Sequence, residues 1–407
     1  MQAKPKRIQQ LITDLSAFTK TPGNGVTRLT YSKEDLQARD YIKQTMQSYG
    51  LRVQEDGMGN IYGKLEGKLR EAPSVIVGSH FDSVPNGGAY DGAAGVVAGL
   101  EVAALFQDNQ LTPHYPLEVI AMIEEEGSRF RGLMGSSGIT GSIKENTFSE
   151  ITDADGISVT DAMANAGLDI SQPIYRDPST MRAFLEMHIE QGPTLEESQI
   201  PIGVVQSIVG LTQLNVTVIG QAGHAGTTPM DKRSDALIAA AEMISDLPRL
   251  AADEGNGSVL TVGQLQVSPN AANVIPDSVN FTIDIRSAQE EHVLNILNQA
   301  KELIHSYHND RIKTNIQQSL YIRPKTLNDH IQSLLSDTCT DLNIASTKMN
   351  SGAGHDAMVF SDVTDVGLIF VPSQDGLSHC PEEYTHELDL ARGVNVLYET
   401  AKQLTEA

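Results

Sequence analysis

Three short apolar runs in this chain each end at, or carry, a metal-binding side chain. Val75–Val77 leads through Gly78 and Ser79 to His80, Leu117–Ile123 enters the triplet Glu124–Glu125–Glu126, and Phe184–Ile189 carries His188. Runs this short and this apolar read as strands buried on both faces. Helical patterns lie between them: Gly92 and Gly95 open an Ala-rich helix through Leu105. Earlier, Ser32 and Asp35 mark a helix start, Leu36, Ile42, Met46 and Tyr49 keep helical spacing, and Gly50 is its stop. Strand alternating with helix predicts an α/β sheet, in which ligands gather at strand ends.

The middle of the chain has another rhythm. Residues 212–219 alternate like a half-buried strand, followed by a helix near 234–247, strands near 259–267 and 278–286, a helix at 289–306 and a strand at 311–319. The order βαββαβ is that of a ferredoxin-like sandwich. At 407 residues the chain is too long for one core. The expected organisation is therefore a first domain in two parts, 1–207 and 321–407, interrupted by an inserted domain at 208–320. The tail returns to α/β style, with a helix near 328–342, a strand at Val366–Val371 and a helix from about Asp389.

Composition narrows the function. The formal charge of −23 opposes nucleic acid and anionic membrane as partners, because phosphates would be repelled. No segment reaches the ~20 unbroken apolar residues of a membrane helix. The start, MQAKPKRIQQLITDL, is basic and then amphipathic, without a signal-peptide apolar core. Cys339 and Cys380 are too few for a disulfide framework, and a cytoplasmic enzyme is expected.

His80, Asp91, Glu126, His188 and His379 each sit beside Gly or at the end of an apolar run. Singly, each is an ordinary loop or core residue. Together, three imidazoles and two carboxylates suggest a two-metal hydrolytic site. Neutral imidazole and carboxylate bind Zn²⁺, Mn²⁺, Co²⁺ or Ni²⁺, and the lack of thiolate ligands disfavours a structural zinc site. Asp91 lies among Gly87, Gly88 and Gly92, where backbone can approach a metal closely, and takes the bridging position. Asp82, two residues after His80, is placed to accept the other imidazole N–H. Neighbouring residues on an extended segment point to opposite sides, so one of Glu125 and Glu126 is expected to bind metal and the other to move protons.

The segments GSHFDSVPNGGAYDGAAG, EEEGSRF, HIEQGP, GQAGHAGTTPM, PNAANVIPDSVNFTIDIR, SGAGHDAM and DGLSHCPEE resemble the amidase branch of the M20 metallopeptidase-like superfamily. That branch includes N-carbamoyl-L-amino acid hydrolases, allantoate amidohydrolases and β-ureidopropionases. The resemblance covers nearly the whole chain. It implies an α/β zinc-peptidase-like catalytic domain with an inserted ferredoxin-like (βαββαβ) dimerisation domain. It implies two divalent ions per subunit, one on His80 and His188, the other on Glu126 and His379, with Asp91 shared. It also makes Glu125 the general base and Glu126 the ligand.

Substrates of such a family are ureido acids, small molecules with a carbamoyl group and a carboxylate. Arg286 resembles the guanidinium that would clamp the carboxylate. Gln191 resembles a substrate amide partner. His224, an oxyanion donor, and Asn273 would come from the partner subunit of an obligatory homodimer. Gly354 and His355 would add backbone and imidazole contacts. The stretch RFRGLMGSSGITG is closer to the carbamoylase than to the allantoate version, so hydrolysis of N-carbamoyl-L-amino acids is the leading expectation. The alternatives are allantoate hydrolysis, true amide cleavage by an M20 peptidase or deacylase, and a metal-bound binding protein without catalysis, which an intact Glu125 argues against.

Overall fold

The computed structural model describes residues 2–169 and 171–406, and the chain divides into two compact units. The first comprises the chain up to Gln206, Leu327–Met349 and everything from Gly354 onward; the second is Ser207–Thr326 with Asn350–Ala353. The second unit outruns the expected 208–320 because Lys313–Ile322 stays paired to its end and Lys325–Thr326 then pairs with Ser207 and Ile208.

The sheet of the first unit runs in the order Arg52–Glu55, Ile61–Leu65, Leu117–Met122, Ser74–His80, Met181–Ile189, Val366–Val371, Ile202–Ile208. Its four middle strands are mutually parallel, with antiparallel strands outside them. Every residue of Ser74–His80, Leu117–Met122 and Val366–Val371 is buried, as expected of parallel strands covered on both faces. Helix Ala93–Asp108 is buried nearly all round. The earlier helix, Lys33–Ser48, is capped as its sequence predicts: Ser32 Oγ accepts the Asp35 N–H at 3.2 Å, and Gly50 follows at φ +74°. Because the middle strands are parallel, their carboxyl ends lie along one edge of the sheet. His80 ends one, the Glu124–Glu126 triplet follows another, His188 is next to last in a third, and the chain to His379 leaves the fourth.

The second unit is a four-stranded antiparallel sheet ordered Lys313–Ile322, Gly210–Ile219, Ser278–Ser287, Val259–Ser268. In chain order that is 4-1-3-2, the ferredoxin-like arrangement. Leu214, Val216 and Val218 alternate into the same core as Met243 and Leu247 of helix Ala236–Glu254 and Ile296 and Ala300 of helix Glu290–Ser306. Helix Ala236–Glu254 continues through Pro248, where local signals predict an end. Pro248 itself is exposed, whereas Leu247 and Ala251 are buried, so packing carries the helix past a missing N–H.

Candidate metal centre

The edge formed by the parallel strand ends gathers all five expected ligands, and all five belong to the first unit. They form two groups that share Asp91: His80, Asp91 and His188, and Asp91, Glu126 and His379, each with donor atoms within 4.8 Å of one another. Asp91 turns one oxygen to each group. Its Oδ1 is 3.1 Å from His188 Nε2 and 3.5 Å from His80 Nε2, and its Oδ2 is 3.2 Å from His379 Nε2. Glu126 Oε2 lies 3.4 Å from the same His379 nitrogen. His188 Nδ1 is 2.9 Å from the Ile189 carbonyl; with its proton donated there, Nε2 is an acceptor, and here it takes the Gly92 N–H at 3.2 Å.

Glycine is required at position 92. Its φ is +61°, and a Cβ there would run into the His80 imidazole. The triplet begins at buried Glu124, at φ +51°, whose Oε1 accepts the Arg129 and Phe130 N–H groups and turns the chain back, with Glu125 and Glu126 partly exposed. Glu125 then sits with Oε2 3.7 Å from His80 Nε2, while Glu126 faces His379. The two neighbours thus face different groups of one cluster, on a bent stretch of backbone rather than the extended one expected.

The electrostatics ask for a cation. Burial alone would push His80 down, but Glu125, Asp82 and Asp91 hold its imidazole well above the ordinary range. His188 is likewise raised, against burial, by Asp91. His379 is pushed up to about 10 by its bonds to Asp91 and Glu126. Asp91, which burial would raise, is held well below the usual carboxylate range by His188 and the other two imidazoles. Burial pushes Glu125 well above its ordinary value despite His80. Asp91 and Glu126, packed against three imidazoles with Glu125 beside them, leave the cluster short of positive charge, which divalent ions supply. Glu126 Oε1 and both ring nitrogens of His80 are buried without a hydrogen-bond partner of regular geometry. The donor set therefore fits divalent metal.

Other expected residues are placed as follows. Asp82 Oδ1 is 3.4 Å from His80 Nδ1, and its carboxylate also accepts the N–H groups of Glu125 and Glu126, a role the sequence did not announce. Gln191 donates to Asp91 Oδ2 at 2.7 Å, an engagement within the cluster rather than with open space. His355 is buried against the His188 ring, centroids 4.5 Å apart, and burial holds it well below its ordinary value; Gly354 beside it is exposed. Arg286, His224 and Asn273 belong to the second unit. Arg286 is paired with Asp284 at 2.8 Å and also donates to the Gly352 carbonyl. His224 and Asn273 are exposed, and His224 Nδ1 accepts the Gly226 N–H. Sequence reasoning overlooked Ser373, Ser378 and Glu383, which hold the loops around Gln191, Asp91 and His379. Among the described residues, no helix is long and apolar enough to cross a membrane.

Comparison with known proteins gives a consistent picture. Residues 76–403 match the model of peptidase family M20/M25/M40. An N-carbamoyl-L-amino-acid amidohydrolase of Paenarthrobacter aurescens is 41% identical, with 99% of this chain and 98% of that protein covered. An allantoate amidohydrolase of Bacillus subtilis is 37% identical over 98% of each. A crystal structure of a hydantoinase/carbamoylase family amidase from Burkholderia multivorans superimposes with a TM-score of 0.92 at 31% identity, covering 99% of this chain and 98% of that one.

Proposed function

We propose, from the premise that this chain belongs to peptidase family M20/M25/M40 and to its hydantoinase/carbamoylase-type amidases, that it hydrolyses the carbamoyl C–N bond of N-carbamoyl-L-amino acids. The products are the amino acid, ammonia and carbon dioxide. The observation that carries this reading is Asp91, whose two oxygens face two ligand groups with Glu125 at their margin. Two divalent ions are assigned, one to His80, Asp91 and His188, the other to Asp91, Glu126 and His379. Zn²⁺ or Mn²⁺ is the first choice, and Co²⁺ or Ni²⁺ suits the same donors. When bound, such ions polarise the carbamoyl group and acidify the attacking water.

The chain's own residues do the rest. Glu125 takes a proton from the water and returns it to the departing ammonia, as its position beside His80 supports. The carbamate left behind decomposes to carbon dioxide and the free amine. Asp82 keeps His80, Glu125 and Glu126 in register through one carboxylate. Arg286 is assigned the substrate carboxylate, which would replace Asp284 as its partner. Gln191, Asn273, Gly354 and His355 are assigned to positioning the substrate. His224, whose Nδ1 is an acceptor, carries its ring proton on Nε2 and is a donor for the developing oxyanion. We assign His224 and Asn273 to the partner subunit's centre, which makes a homodimer the active form.

The resemblance to an allantoate amidohydrolase supports a second reading in which allantoate is the substrate. Ammonia release from N-carbamoyl-L-amino acids, 3-ureidopropionate and allantoate, by enzyme stripped and reloaded with each metal, decides. Turnover confined to allantoate would replace the first reading with the second. No turnover on any ureido acid would defeat both.

A further inference from the structure

Asp91 and His379 stand 288 positions apart on two loops, and the backbones of both loops end on one carboxylate. Glu383 Oε1 accepts the N–H groups of Tyr90 at 2.9 Å and Asp91 at 3.0 Å. Its Oε2 accepts the His379 N–H at 3.3 Å and lies 2.9 Å from Ser378 Oγ, which is also 2.8 Å from Asp91 Oδ2. The hydroxyl has one proton and donates it to one of these two acceptors. Glu383 is 4% exposed. A Cβ at Gly88 would run into its carboxylate, so that glycine makes room for it. The rings of Tyr90 and Tyr384 meet edge-on with centroids 5.6 Å apart, a second tie between the same loops. Glu383 is in neither ligand group.

We propose that Glu383 is a positioning residue that fastens the Asp91 loop to the His379 loop and so keeps the Asp91–Glu126–His379 group shaped for its cation. This rests on the metal assignment above. The two groups differ in their need for such a brace. His80 and His188 project from strands whose backbones the sheet holds. Asp91, Glu126 and His379 all come from loops, and His379 is held at φ +59° with its side chain 48% exposed. A carboxylate suits the task because both of its oxygens accept. In Glu383→Gln one oxygen becomes an NH₂ that faces N–H groups, and one loop loses its anchor.

The test counts metal rather than turnover. Wild type, Glu383→Gln, Ser378→Ala and the exposed control Glu382→Gln are loaded with Zn²⁺, desalted, assayed by plasma mass spectrometry and titrated with a chromophoric chelator. Wild type and Glu382→Gln should keep two ions. Glu383→Gln should bind the ion of the Asp91–Glu126–His379 group roughly 10- to 100-fold more weakly, the usual effect of losing a residue that orients a ligand, with a smaller loss at the other ion, which shares Asp91. Ser378→Ala should move the same ion in the same direction, and it decides alone if Glu383→Gln does not fold. Two ions at wild-type affinity in both variants would overturn the proposal. So would equal loss of both ions with a lowered melting temperature of the metal-free protein, the mark of a general structural role. If wild type itself takes up no divalent ion, the metal assignment fails first and the brace with it, a result distinct from the other two.

Discussion

At position 92 two demands meet on one residue. The backbone must take φ +61° and the space beside it is filled by the His80 ring. Gly92→Ala should therefore either strain the loop by about 1–3 kcal/mol or displace His80. Divalent-metal affinity, read by calorimetric titration, should fall at least tenfold; wild-type affinity would show that the loop has slack. Residue chemistry was the most legible layer of this protein. His80, Asp91, Glu126, His188 and His379 stand out as a set of three imidazoles and two carboxylates beside glycines or apolar runs, although each singly reads as an ordinary loop or core residue. Glu383 did not, although it lies only four positions after His379. An acid that accepts backbone N–H groups has no sequence signature distinct from a solvated one, and only the fold brings Tyr90 to it.

Among the elements, the parallel strands and the capped helix Lys33–Ser48 follow from their own residues: continuous apolar runs in one case, Ser32, Asp35 and Gly50 in the other. Helix Ala236–Glu254 does not, because local chemistry favours a stop at Pro248 and packing of Leu247 and Ala251 overrides it. The proline ring is exposed and contributes little burial in return. Pro248→Ala should thus restore a helical N–H and stabilise the Ser207–Thr326 unit by about 1–3 kcal/mol, seen as a higher melting temperature. A lower one would mean that the ring supports a contact the helix needs. The turn at Glu124 illustrates the reverse case. Sequence reasoning assigned roles to Glu125 and Glu126 but none to Glu124, which is buried, folds its carboxylate onto the N–H groups of Arg129 and Phe130, and is pushed up to about 7 by burial.

For the molecule as a whole, the assignment of His224 to the partner's centre has a sharp consequence. Glu125→Gln and His224→Ala homodimers should each be nearly inactive while retaining metal. When the two are unfolded and refolded together, each hybrid dimer regains one centre with both an intact base and an intact donor. Random pairing makes half of the dimers hybrids, so about a quarter of wild-type ammonia release should return. No recovery, with hybrids demonstrated by native mass spectrometry, would place His224 outside the partner's chemistry.

The sequence alone determined that short apolar strands lead to imidazole and carboxylate side chains, and that a βαββαβ segment interrupts them. These are properties of short windows: apolar runs, caps, turn residues and side-chain donors act over a few positions. Tertiary structure alone decided that Asp82 holds the backbone of Glu125 and Glu126, and that Glu383 joins loops nearly three hundred positions apart. Such contacts form between segments whose proximity is set by the parallel order of the sheet, and no local pattern of residues encodes that order.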